Sequence, residues 1–289
     1  VYDREGHYAC FDGRGRYQYF QAQMTRRGLA MYDDPAATRK HFEALFEALF
    51  PGLPKSGNGA VRTVAQSGQR LVYNQIREFE TRNLTFLEAD IEALDLPPAR
   101  VVRCMNVLLY FAPPARKKML RQIGALLGKD GLLIAGTSGF GIDARYTVYR
   151  EVSGTIIPSE FAFSFENLRS FGIMPYFTIH DGDREATLLA DLMGAIRADP
   201  SYGPALNNRV DALLAQRGIS RRGPDGYLRP PPEEMPRSLI RDKMAAMWRQ
   251  LAAEGFLEGA LEALERAGYD AWTNAAGDIA IRPPADYHP

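Results

Sequence analysis

The sequence predicts an α/β protein: a mostly parallel sheet with an antiparallel hairpin at its edge, an N-terminal cap before it and a C-terminal helical and hairpin appendage after it. Three observations carry that class. The apolar strand candidates "ARVVRCMNVLLYF" and "GLLIAGTSG" flank a helix, the alternation of a parallel sheet covered on both faces. Two β-rich runs around Gly154 have the spacing of an antiparallel pair. Beyond residue 200 the chain turns to short amphipathic helices joined by the Pro/Gly-rich "RRGPDGYLRPPPEEMP". The expected divisions are 1–58 for the cap, 59–200 for the core and 201–289 for the appendage.

In chain order, Gly13 and Gly15 mark a loop after a short strand at Tyr8–Phe11. Asp34 and Pro35 suit the start of a helix, and Phe42, Leu45, Phe46, Leu49 and Phe50 give it an apolar face. "AVRTVA" predicts a first core strand over 61–66, and "NLTFLEAD" a strand over 84–88 that ends on an acid. Residues 101–108 and 131–137 complete the expected parallel set, around a helix with Met119, Leu120, Ile123, Leu126 and Leu127 inward. Residues 145–166 form the edge hairpin, and Glu185–Ala198 a helix. Pro200 to Pro204 predicts a break before a short helix over Asn207–Gln216. Helices over Ser238–Ala253 and Leu257–Ala267, the latter with Gly268 as C-cap, lead into a hairpin around Gly277.

Composition removes several function classes. Lys plus Arg and Asp plus Glu each number 35 in 289 residues, so no basic excess points to nucleic acid. Cys10 and Cys104 make neither a disulfide framework nor a CxxC motif, and the four histidines show no paired spacing, so no metal is expected. No apolar run approaches a membrane span and no signal peptide opens the chain, which predicts a cytoplasmic protein that does not bind membrane. Nothing here speaks to oligomeric state.

In open α/β sheets ligands bind beyond the carboxyl ends of the strands. Three polar strand ends are candidates: Asp90, the cluster Arg103, Cys104, Met105 and Asn106, and Thr137-Ser138-Gly139. Each has a structural alternative. Asp90 could cap the short turn at Glu92, and Asn106 could satisfy loop backbone. His180-Asp181 is the most reactive-looking other pair, and Asp181-Gly182 is better read as a turn.

"FLEADIEALDLPPARVVRCMNVLLYFAPPARKKMLRQIGALLGKDGLLIAGTS" resembles the second half of the Rossmann-like class I S-adenosylmethionine-dependent methyltransferases. It is most similar to the chemotaxis-receptor glutamate methyltransferases, whose Arg-Asn-Val-Leu-x-Tyr-Phe strand is followed by a helix, a turn and a Gly-x-Ser strand end. The resemblance covers 84–166 firmly and 59–166 loosely, and Met105 interrupts the motif before Asn106. It implies S-adenosylmethionine as cofactor, with Asp90 on the adenine amino group, Ile91 on the adenine face, and Arg103 to Asn106 beneath the methionine part. Tyr110 would lie beside the transferring methyl group or the substrate. The family's acid-x-Gly-x-Gly loop has only Ser67 and Gly68 at its place. About 15 residues separate Gly68 from Leu84, too few for the helices and strand that belong there. With the chain opening on Val1 rather than methionine, a segment of some tens of residues is expected to be absent near Gly68–Tyr73. The leading expectation is methyl transfer to a small-molecule acceptor. The alternatives are a protein carboxyl methyltransferase and a non-catalytic scaffold that kept the fold.

Overall fold

The computed structural model describes residues 1–23, 25–54, 61–87, 89–139, 143–168, 183–224, 228–229 and 235–287. The chain forms two units, Val1–Glu88 and Ala89–Pro289.

The first unit is built from hairpins on a helix. Strands β1 (Tyr8–Phe11) and β2 (Tyr17–Gln21) pair antiparallel and are followed by α1 (Arg26–Asp33) and α2 (Pro35–Leu49). Asp34 caps α2 by accepting from the Ala37 amide, and Pro35 takes the first position, where no amide is needed. Phe42, Leu45 and Leu49 bury the face that their spacing predicts. β3 (Arg62–Gln66) and β4 (Gln69–Tyr73) then pair antiparallel through a two-residue turn. Both turn residues have positive φ, Ser67 at 52° and Gly68 at 79°, the twist that matches two antiparallel strands. The expectation of a core strand over 61–66 is corrected here: it forms, but it pairs with β4 in this hairpin, not with a parallel sheet. Tyr2 also bridges to Arg70, so β4 is paired on both sides at that point.

The predicted strand over 84–88 is absent from the described residues 84–87. Leu84 makes only an isolated bridge to Thr81, Leu84 and Leu87 are exposed, and the Phe86 amide donates to the Glu80 carboxylate instead of to a ladder.

The second unit carries the sheet. β5 (Ala99–Met105) leads to α3 (Pro113–Gly124), then β6 (Leu127–Gly139), β7 (Asp143–Val152) and β8 (Thr155–Phe163). α4 (Arg184–Ala198) and α5 (Tyr202–Gln216) follow, then the two-residue strands β9 (Arg221–Arg222) and β10 (Leu228–Arg229). α6 (Arg237–Ala253), α7 (Phe256–Arg266), β11 (Ala271–Thr273) and β12 (Ile279–Ile281) complete it. Pro204 does not break α5, because it stands in the first turn, where a missing amide costs nothing.

The fold class is mixed α/β with an open sheet, six strands in the order β11-β12-β8-β7-β6-β5. Its pairing departs from expectation: β5 and β6 are parallel, and the other four neighbours are antiparallel. With 61–66 paired in the first unit's hairpin and 84–87 outside any strand, β5 forms an edge of the sheet. The 145–166 hairpin is interior, because β12 pairs with β8 and adds the C-terminal hairpin to the same sheet.

Strand register sorts the faces. Cys104, Ala135, Thr147, Phe161 and Ile281 share one row across the sheet. On this face α3 covers the β5–β7 half through Met119, Leu120 and Ile123, and α4 to α7 cover the β8–β12 half around Trp248, Leu192 and Leu213. The opposite face leaves Val101 56% and Ile157 48% exposed, so the described helices of this unit are concentrated on one side. Gly136 is required by close strand approach, since a Cβ there would lie 2.1 Å from the Arg145 carbonyl oxygen.

Candidate active site

The stretch "RCMNVLLYF" ends β5 with a bracket. Alternation turns Val102 and Cys104 toward α3 and Val101, Arg103 and Met105 to the other face. Asn106 adopts a left-handed backbone, φ 60°, and its amide N–H reaches the Gly136 carbonyl at 2.9 Å. Its side chain then continues the ladder where its own backbone has turned away. Oδ1 accepts from the Ser138 amide at 2.8 Å and Nδ2 donates to the Ser138 carbonyl at 3.0 Å. Asparagine tolerates this conformation and supplies both a donor and an acceptor, a combination that few residues offer. Asn106 thus joins the carboxyl ends of the parallel pair. A one-turn helix at Leu108–Tyr110 and the Pro113 start of α3 follow at once.

The remaining sequence-predicted residues fall into distinct settings. Cys104 is buried beneath α3, and burial pushes its thiol above the usual range, so it packs as a small apolar group. Arg103 is exposed, Met105 half-buried and Tyr110 66% exposed. Asp90 is exposed and its carbonyl accepts from the Ala93 amide, opening the short turn Ile91–Ala93. Ile91 leans half-buried on the α3 cluster. Ser67 and Gly68 are the hairpin turn of the first unit. His180 and Asp181 lie outside the described residues. For an adenosyl cofactor the fit is partial. Asp90, Ile91, Met105 and Asn106 offer a carboxylate, apolar surface and a fixed strand end on one unit, whereas Ser67-Gly68 forms a hairpin turn, not a strand-to-helix cradle.

Sequence reasoning missed a buried charged cleft beside this strand end. Its free interior is only about 20 Å³, and it is lined by Leu108, Leu109, Thr137 and the groups that bridge α3 and β7 to α4. Arg116 of α3, 4% exposed, pairs with Asp183 at 3.1 Å and donates to the Phe111 carbonyl at 3.3 Å. Arg145 of β7 meets Glu185 at 3.2 Å. Asp183 also caps α4 by accepting from the Ala186 amide. Burial pushes the Glu185 carboxyl up to about 7; Arg145 and Arg116 oppose that rise and Asp183 adds to it. Burial, with Glu185 nearby, likewise raises the Tyr149 hydroxyl. The sequence did carry a signal: Arg116 stands three, four and seven positions before Met119, Leu120 and Ile123, a charge on the inward stripe of α3.

A second cluster, Asp3, Glu5 and His7 of the first unit, brings ligand-type atoms within 4.8 Å of one another. Its hydrogen bonds give it another role. Asp3 Oδ1 accepts from the Glu5 and His7 amides, and His7 Nδ1 accepts from the Gln23 amide at 2.9 Å. With Nδ1 an acceptor, Nε2 carries the proton and faces the Glu5 carboxylate at 3.4 Å, so it has no lone pair for a metal. The group clamps a turn.

Over 95 residues the chain is 33% identical to chemotaxis protein methyltransferase 2 of Pseudomonas aeruginosa, a stretch that takes in 32% of this chain and 33% of that protein. The chain therefore spans about a third of the length of this relative. No family model and no solved structure matches it. Over that stretch the chain is related to a methyltransferase.

Proposed function

We propose that this protein takes part in S-adenosylmethionine-dependent methylation of a carboxylate carried by a protein. The observation that carries the reading is the similarity to a chemotaxis protein methyltransferase. The Asn106–Ser138 bracket at the end of the parallel pair supports it, because ligands of open α/β sheets gather at such strand ends. A protein carboxylate replaces the small-molecule acceptor expected from sequence, since the relative's name specifies a protein. S-adenosylmethionine supplies a methyl group on a sulfonium, and an acceptor oxygen takes it as the carbon–sulfur bond breaks, with the electron pair leaving on sulfur. The chain's own task is to position and to exclude water. Asp90 and Ile91 would hold the adenine, and Met105 and Asn106 the strand end beneath the methionine part, while Tyr110 would stand at the acceptor side. A carboxylate acceptor is already ionised near neutrality, so no general base is required of these residues.

The test is titration calorimetry with S-adenosylmethionine and its demethylated product, followed by transfer of labelled methyl to protein as base-labile ester. Binding of both ligands and release of labelled methanol by alkali are expected. Absence of heat and of competition at millimolar ligand would refute the reading. It would promote a second one, a non-catalytic scaffold, which the hairpin at Ser67-Gly68 favours because that turn stands where the cofactor loop belongs.

A further inference from the structure

The cleft between α3 and α4 has the chemistry of a receptor, not only of a brace. With all four groups ionised its charges balance, Arg116 and Arg145 against Asp183 and Glu185. Two features leave the balance open. The Arg116 Nε is buried with no hydrogen-bond partner among the described residues, although its other guanidinium nitrogens are bonded. An orphaned buried donor is costly unless something fills its place. The cleft that Arg116 lines has free interior for about one water-sized group, far too little for an adenosyl cofactor but enough for a single oxygen. Its walls at Leu108 and Leu109 belong to the turn that directly follows Asn106, so the cleft adjoins the strand end proposed to hold the cofactor.

We propose that this cleft receives one oxygen of the acceptor carboxylate, on the Arg116 Nε and the Arg145 guanidinium, while Glu185 takes up a proton. The proposal deepens the methyl-transfer reading and rests on it for the identity of the acceptor. An anion entering a neutral cluster of two cations and two carboxylates adds an uncompensated charge. Protonation of Glu185 removes it, so proton uptake and anion binding support each other. The groups facing Glu185 are Arg145 and Tyr149 on β7, Arg116 on α3, Asp183 at the head of α4, and Tyr287 near the chain's end. Both tyrosine hydroxyls are raised by burial and stay neutral across the range concerned. Asp183 is held as an acceptor by Arg116 and by the Ala186 amide, which leaves Glu185 as the group placed to take the proton. With one oxygen held, the acceptor's second oxygen stays outside for transfer, and no proton moves in the methylation step.

The experiment uses the full chain and two small probes: an N-acetylglutamate blocked as its α-amide, with one side-chain carboxylate, and the glutamine counterpart, neutral and of the same shape. Binding is followed by NMR and by calorimetry in buffers of different ionisation enthalpy. The acid probe should bind about tenfold more tightly at pH 6 than at pH 8, because Glu185 passes from mostly protonated to mostly ionised over that interval, and proton uptake should accompany it. The neutral probe should not bind. Arg116→Gln should abolish binding of the acid. Where that variant fails to fold for want of a partner to Asp183, Glu185→Gln decides: it should retain binding and lose the pH dependence. Equal binding of the two probes, or a pH dependence that survives Glu185→Gln, would overturn the proposal. S-adenosylmethionine binding on the same samples separates the two readings. Cofactor binding without carboxylate binding removes the cleft and leaves methyl transfer. Carboxylate binding without cofactor binding supports the cleft and removes methyl transfer.

Discussion

Replacing Asn106 tests whether the strand-end bracket is what joins β5 to β6. Asn106→Ala removes both side-chain hydrogen bonds to the Ser138 backbone and leaves a Cβ-bearing residue at φ 60° with no side-chain hydrogen bond to compensate. The two bonds are solvent-exposed, so about 0.5 kcal/mol each is the appropriate scale. The left-handed backbone adds about 1–2 kcal/mol for alanine. The expected loss is about 2–3 kcal/mol, whereas Asn106→Gly, which keeps the φ without strain, should lose only about 1 kcal/mol. Urea unfolding followed by circular dichroism measures the pair, and the alanine–glycine difference isolates the backbone contribution. Hydrogen exchange supplies a local readout, because the Ser138 amide donates to the Asn106 side chain: its exchange should accelerate in both variants while the Leu133 amide stays protected. An Asn106→Ala variant within about 0.5 kcal/mol of the parent, with unchanged Ser138 exchange, would refute the bracket.

Three further outcomes are expected. Glu185 has its carboxyl raised in the folded state from 4.5 to about 7, so the folded protein binds the extra proton between those values and stability should fall as pH rises through that window, by roughly 3 kcal/mol in all. Glu185→Gln should flatten the profile measured by urea titration between pH 4.5 and 7; a slope that persists would place its source elsewhere. Gly136→Ala would set a Cβ 2.1 Å from the Arg145 carbonyl oxygen and 2.5 Å from the Tyr146 Cα, both backbone atoms that cannot rotate away. It should cost more than about 3 kcal/mol or yield insoluble protein, and a variant that melts like the parent would mean the strands part easily there. Ser67→Asn places the residue that best tolerates a left-handed turn before Gly68, and should raise the melting temperature through about 0.5 kcal/mol of added stability. A loss of stability on that change would mean that the turn is not the one described.

Several elements were legible in the sequence because their causes are local. Asp34, Pro35 and the Phe42–Leu45–Leu49 spacing specify the start and buried face of α2 within a few residues of one another. The Glu185–Ala198 pattern and Gly268 likewise mark helices that the structure contains, and Asn106 stood out as a polar residue where an apolar strand should continue. Pairing was not legible in the same way. An apolar strand shows that it is buried, not which neighbour buries it, so the apolar pattern places 61–66 and 84–88 in a parallel sheet that neither 61–66 nor the described residues 84–87 join. Ser67-Gly68 decided the first case through two positive φ values that bring β4 back onto β3. The charged cleft was hidden for the same reason. Arg116 and Asp183 are 67 residues apart, Arg145 and Glu185 40 apart, and only the folding of α4 against α3 and β7 buries the first pair, half-buries the second and lifts the Glu185 carboxyl toward neutrality. The sequence by itself determined helices, turns and the polar strand end, because these depend on near neighbours. Only tertiary structure decided partners and proton affinities, because these depend on which distant groups share a space without water.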